Sequence, residues 1–192
     1  MNRAWMKFWL CASLLALTVS AGAVSQKQKG DNGKNELTLA SIQPGRDKLS
    51  GVEKQLNDHL RPDDSESATG HSWSDPCSGR RLSLEVDRAG VIQTVTISSA
   101  TTHENCKSKV DPKKDPLWVT GQGIRLGDIS EHVVEVYGAP NSGGPSVKAG
   151  HELELMFYMF DWAGSNVPQV MEISCDKESG RVVEIMLAFP SL

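Results

Sequence analysis

Two periods of apolar residues run through the chain. Leu49, Val52, Leu56 and Leu60 recur at spacings of three and four, which predicts a helix that Pro62 ends. A second helix is predicted after Asp128, an N-cap residue with Glu131 three positions on, as in a capping box. Ile129, Val133 and Val136 form its apolar stripe, and Gly138 and Pro140 stop it. Elsewhere the period is two. Leu82 to Ile97 (LSLEVDRAGVIQTVTI) and Met171 to Leu187 (MEISCDKESGRVVEIML) each read as strand, short polar turn, strand. Gly90 and Gly180 sit in the turns, where a positive φ is needed. A further strand is predicted from Glu152 to Trp162.

The order of these segments occurs twice. Ile42 to Gly45 and Ile124 to Gly127 share the pattern I-x-x-G, and a helix and a hairpin follow each. Val86-Asp87 matches Cys175-Asp176, and Val95 matches Ile185. The expected architecture is therefore α+β, with two tandem helix-plus-antiparallel-β-meander units. The first spans residues 37–106 and the second 118–192, joined by a basic, proline-bearing linker at 107–117. The counterpart of the 152–162 strand falls near Gly70 to Cys77, a stretch of weak strand character. Residues 139–150 (APNSGGPSVKAG) read as a turn-rich loop.

The amino terminus changes the setting. Arg3 and Lys7 precede an apolar run from Phe8 to Val19, short for a membrane span, and Ala21-Gly22-Ala23 forms an A-x-A cleavage site. Residues 1–23 are thus expected to be a signal peptide, cleaved near Ala23, for export to the periplasm or outside the cell. Residues 24–36, polar and poor in apolar side chains, are expected to be a disordered arm. The whole chain has 192 residues and a net charge of −4. Losing Arg3 and Lys7 makes it two units more negative, which argues against a nucleic-acid binder.

Export also bears on the cysteines. Cys77 and Cys106 lie in polar, turn-rich segments on either side of the first hairpin, and a disulfide between them is expected. Closing that loop would contribute about 3–4 kcal/mol in the chain-entropy picture. Cys175 falls in phase with Met171 and Ile173 and reads as a buried free thiol. The alternative use of the pair is a zinc site of His71, Cys77, His103 and Cys106. The His71–Cys77 spacing is not that of a standard finger, and an oxidising compartment favours the disulfide. No cofactor or metal is expected.

Ile124 to Pro140 (IRLGDISEHVVEVYGAP), followed by strands and the terminal GRVVEIML, resembles the SmpA/OmlA family of small bacterial envelope lipoproteins. The likeness runs over residues 118–189 and is marginal over 37–106. The same helix-plus-meander unit occurs in tandem in beta-lactamase-inhibitor-protein-like folds. The residue before Cys11 is Leu10, so Cys11 is not in the setting of a lipid-attachment cysteine. The resemblance implies a non-enzymatic envelope protein whose sheet binds another protein.

The strand from Glu152 to Trp162 is apolar on both sides. Leu153, Leu155, Phe157 and Met159 occupy one, and Met156, Tyr158, Phe160 and Trp162 the other. A sheet covered on one side should alternate apolar and polar. Either both sides are buried, or one is a contact surface. Met156, Tyr158, Phe160 and Trp162 are the expected partner-binding residues, since Tyr, Trp, Phe and Met are enriched in interface cores. The expected function is protein–protein binding in the cell envelope or extracellular space, with membrane contact left open. The alternatives are a carrier of a small apolar ligand and a hydrolase without a recognisable motif, because no nucleophile elbow, dinucleotide fingerprint or paired-histidine zinc motif is present.

Overall fold

Leu82 and Leu84 on one strand face Ile97 and Val95 on the next, and Ser83 between them faces Thr96. That alternation turns one side of the sheet into core and leaves the other polar. The computed structural model describes residues 35–63, 69–75, 77–99, 115–160 and 169–189. Helix α1 (Leu49–His59) leads into β1 (Arg61–Pro62), β2 (Gly70–Asp75), β3 (Arg80–Val86) and β4 (Ile92–Ser99). After a 3₁₀ turn at Pro116–Trp118, α2 (Ser130–Tyr137) leads into β5 (Ser142–Lys148), β6 (His151–Phe160), β7 (Gln169–Asp176) and β8 (Val182–Ala188). None of these helices is long and apolar enough to cross a membrane.

All eight strands form a single antiparallel sheet, in the order β1-β2-β3-β4-β8-β7-β6-β5. This corrects the expected α+β fold of two helix-plus-meander units. Among the described residues the chain is mostly β, and the α-helices there are 11 and 8 residues long. The physical reason lies at the centre of the sheet. β4 and β8 carry the same inward pattern, Val95 and Ile97 opposite Leu187 and Ile185, so their edges pair. One apolar cluster then runs under the whole sheet, from Leu39 and Leu56 through Val95 and Ile185 to Phe160. Trp73 and Trp118 are buried in it.

Both helices lie on this core side and are docked by matching hydrogen bonds. Leu49 N donates to the Gly90 carbonyl, and Ser130 N donates to the Gly180 carbonyl. Ile92 N donates to the Asp47 carbonyl, and Val182 N to that of Asp128. Gly90 and Gly180 have φ of 74° and 66°, as the turns require. Asp87 and Asp176 close the same turns with their carboxylates. Asp128 does not cap α2. Its carboxylate accepts from Arg125 N, as Asp47 accepts from Gln43 N, and the N-cap position is Ile129 with no side-chain bond.

Three elements depart from the sequence reading. The 139–150 stretch contains β5, whose register places Gly143 opposite Met156 and Pro145 opposite Glu154. An outermost strand tolerates this composition, because its second edge needs no partner and Pro145 lacks the N–H that would attract one. β1 and β2 also form, with Trp73 opposite Leu82 anchoring β2 to the core. Glu36, assigned to the disordered arm, is almost completely buried. Residues 35–42 dock against the 119–124 turn: Leu39 bridges Thr120, and Ala40 N donates to the Val119 carbonyl.

Candidate functional site

The structure places Met156, Tyr158 and Phe160 in the core, which corrects their expected role as a contact surface. Each pairs across β6–β7 with a core-facing residue: Ile173, Met171 and Gln169. The Tyr137 ring of α2 packs on two of them, with centroids 5.6 Å from Tyr158 and 5.8 Å from Phe160. The Tyr158 hydroxyl donates to the Gly138 carbonyl at the end of α2, 3.2 Å away. Burial pushes that phenol up to about 12, so it remains a donor at neutral pH. Trp162 lies outside the described residues.

The other side of β6 is the open one. Register carries a row across the sheet from Ser72 through Ser83, Thr96, Met186 and Glu172 to Phe157. A neighbouring row runs Thr94, Ala188, Val170, Met159. The β2–β4 half of this face is therefore hydroxylic, and the β8–β6 half carries Phe157, Met159, Val170, Met186 and Ala188, with Glu172 set between Met186 and Phe157. Phe157, Val170, Met186 and Ala188 are half-buried, and Met159 is 45% exposed.

At the other end of the open face the sheet curls. Lys148 of β5 reaches Glu184 of β8 at 2.7 Å, although two strands lie between them. A flat sheet would hold those strands about 14 Å apart, at the usual spacing between neighbours. Irregularities at Glu85/Val86 and Ser174/Cys175 add twist. The curl shapes a groove of about 900 Å³ lined by Arg80, Arg81, Lys148, Leu153, Arg181 and Glu184, with Ser83, Thr96 and Ser98 on its floor. The Arg80 side chain itself turns to the core side, in phase with Leu82 and Leu84, where it stacks on the buried Trp118 ring, 5.7 Å from its centroid, and burial lowers its pKa from the ordinary value.

A second cleft, of about 670 Å³, lies beside α2 and is lined by Glu131, Val134, Pro140, Glu154, Met156 and Cys175. Cys175 is a buried free thiol. Burial, reinforced by Glu131 and Glu154, pushes it up to about 11, so it is neither thiolate nor ready nucleophile at neutral pH.

Cys77 is disulfide-bonded. Cys106, its expected partner, lies outside the described residues, as does His103. Of the alternative zinc set, His71 stacks on Trp73 with centroids 6.3 Å apart. Among the described residues no group of three or more His, Cys, Asp or Glu is placed to hold a metal ion.

The residue that sequence reasoning missed most completely is Glu36. Its carboxylate accepts from the backbone N–H groups of Leu37, Thr38, Gly121 and Gln122. The Tyr137 hydroxyl adds a fifth bond. Its partners come from distant parts of the chain, so no local pattern could have marked it. No family model, curated protein or solved structure matches the chain.

Proposed function

We propose that this chain is an exported, non-enzymatic protein-binding module of the cell envelope or extracellular space, and that it meets its partner through the open face of the sheet. The observation that carries this reading is the apolar group on that face: the row Ala188, Val170 and Met159, with Met186 and Phe157 on either side of Glu172 in the next row. Large apolar side chains gathered on the solvent side of a sheet mark contact surfaces. The signal-like segment at residues 1–23 and the likeness of 118–189 to small envelope lipoproteins support the compartment and the absence of catalysis.

The contact surface is the side of β6 that carries Phe157 and Met159, opposite the Met156–Phe160 side. Affinity capture from an envelope extract with the full exported chain tests it, using Met159→Glu/Met186→Glu as the comparison. The protein retained by wild type should be lost by the double variant while both melt at similar temperatures. Equal retention by the two would remove the open face from the function.

A further inference from the structure

We infer that the partner's contact segment sets a cationic side chain, flanked by apolar ones, on the Glu172 carboxylate; this rests on the binding reading above and names the chemistry that partner carries. Met186 of β8 and Phe157 of β6 stand directly opposite Glu172, one on either side. Val170, two positions back on β7, continues the same face to Ala188 and Met159. Directly opposed residues of an antiparallel pair have Cβ atoms about 5 Å apart, so a body that covers Met186 and Phe157 covers Glu172 as well. Glu172 is half-buried, and among the described residues it has no hydrogen bond and no ion pair. The rows that cross β4, β8, β7 and β6 at this place hold no Lys or Arg. Lys148 of β5 is held by Glu184, and Arg81 of β3 by Asp63. Arg181 lies at the turn and donates to the Gly127 carbonyl, and Arg61 stands on β1 at the far edge of the sheet. Glu85, in the row of Thr94 and Ala188, adds a second carboxylate. The patch is therefore negative as well as apolar.

Water solvates this carboxylate in the free chain. A partner seated on Met159, Met186 and Phe157 removes that water, and covering an ionised carboxylate is costly unless its charge is met. Contact through this face therefore demands donors from the partner, and a cation is the donor that also cancels the charge. Arginine suits the setting best. Its guanidinium is weakly hydrated, forks onto both oxygens of a carboxylate and stacks on aromatic faces, and Phe157 stands beside Glu172. Its methylene stem is apolar enough to lie on Met and Val side chains. The same carboxylate rejects a purely apolar segment, which gives the face a selectivity that Met, Val and Phe alone would lack.

The test is an amide-shift titration of the nitrogen-15-labelled full exported chain with capped pentapeptides. Their sequence is threonine, leucine, a variable residue, leucine, threonine. The variable residue is arginine, its neutral isostere citrulline, or glutamate. The arginine peptide should shift the amide signals of Val170, Glu172 and Met186, and it should bind at least about tenfold more tightly than the citrulline peptide. The glutamate peptide should not bind. Glu172→Gln, with its fold confirmed by circular dichroism and melting, should erase the preference for arginine over citrulline. Glu172→Met should weaken the arginine peptide by at least about tenfold, although it enlarges the apolar patch. Equal binding of the arginine and citrulline peptides to wild type, no binding of the arginine peptide, or tighter binding of it by Glu172→Met would each overturn the inference. Equal binding of those two peptides at the open face would leave the broader reading standing, since the patch would then take apolar segments whatever their charge. Failure of the broader reading looks different: equal capture of a partner by wild type and by Met159→Glu/Met186→Glu would remove the face, and this inference with it.

Discussion

The Tyr137 hydroxyl donates to the Glu36 carboxylate over 2.6 Å and joins residues 101 positions apart in the chain. Its single proton is thereby spent, so the Thr120 hydroxyl, 2.7 Å away, is the donor to Tyr137. Burial, with the nearby Glu36 charge adding to it, raises the phenol above its ordinary pKa and keeps that proton in place. Glu36→Gln puts an amide donor among groups that themselves donate. The variant should lose about 2–3 kcal/mol, the scale for hydrogen bonds to a buried charge. Tyr137→Phe should lose less, and the two together should fall short of the sum, since each removes the same contact. Urea unfolding of the four proteins measures this, and strictly additive losses would deny the clasp.

Ala40 and Ser41 have φ of 57° and 62°, both in the left-handed region, between the paired residues Leu39 and Ile42. This is the geometry of a two-residue hairpin turn, which favours Asn and Gly. Ser41 is exposed, so its side chain gains no packing in return. Ser41→Gly should raise stability by about 1 kcal/mol, the usual strain of a non-glycine residue there. A lower denaturation midpoint would show that the serine hydroxyl contributes more than its backbone costs.

Gln169 is fully buried opposite Phe160, and among the described residues neither its amide nitrogen nor its oxygen has a hydrogen-bond partner. Each buried unsatisfied group costs about 1–3 kcal/mol. Gln169→Met, similar in length and without those groups, should raise the melting temperature by several degrees at a gain of about 1–2 kcal/mol. A fall would mean that the amide serves something the packing does not reveal.

Cys175 links stability to alkaline pH. Its pKa rises from 9.0 to about 11 on folding, with burial the main cause. The unfolded thiol therefore loses its proton first as pH rises. Stability from this group is complete below pH 9, declines through the 9–11 window and is lost above it. Cys175→Ala should show a shallower fall in that window when urea midpoints are followed from pH 8 upward. Wild type should also react slowly with iodoacetamide at neutral pH. Rapid alkylation of the folded protein would place the thiol in solvent.

The two hairpins were legible because their apolar positions alternate strictly and a glycine marks each turn. The merger of the halves was not, because nothing in Val95 or Leu187 states that β4 and β8 pair with one another rather than ending at solvent. β5 was hidden by Gly143, Gly144 and Pro145, which are turn residues everywhere except at a sheet edge. For β6 the two apolar sides were legible, and the choice between them was not. Period two separates Tyr158 from Phe157 but carries no sign for the side that α2 covers. Aromatic content favoured Tyr158 and Phe160, yet those rings pack under Tyr137. Glu36 resembled its polar neighbours in the arm, and its donors Gly121, Gln122 and Tyr137 are brought to it only by the tertiary fold.

The sharpest test of the open face is site-directed photocross-linking. A benzophenone side chain at position 159, on the open face, is compared with one at position 134, exposed on α2 on the opposite side of the sheet. Illumination in the native envelope or secretion medium should yield a discrete cross-linked partner from position 159 and none from position 134. The same adduct from both positions, or from position 134 alone, would contradict a partner bound through the open sheet face.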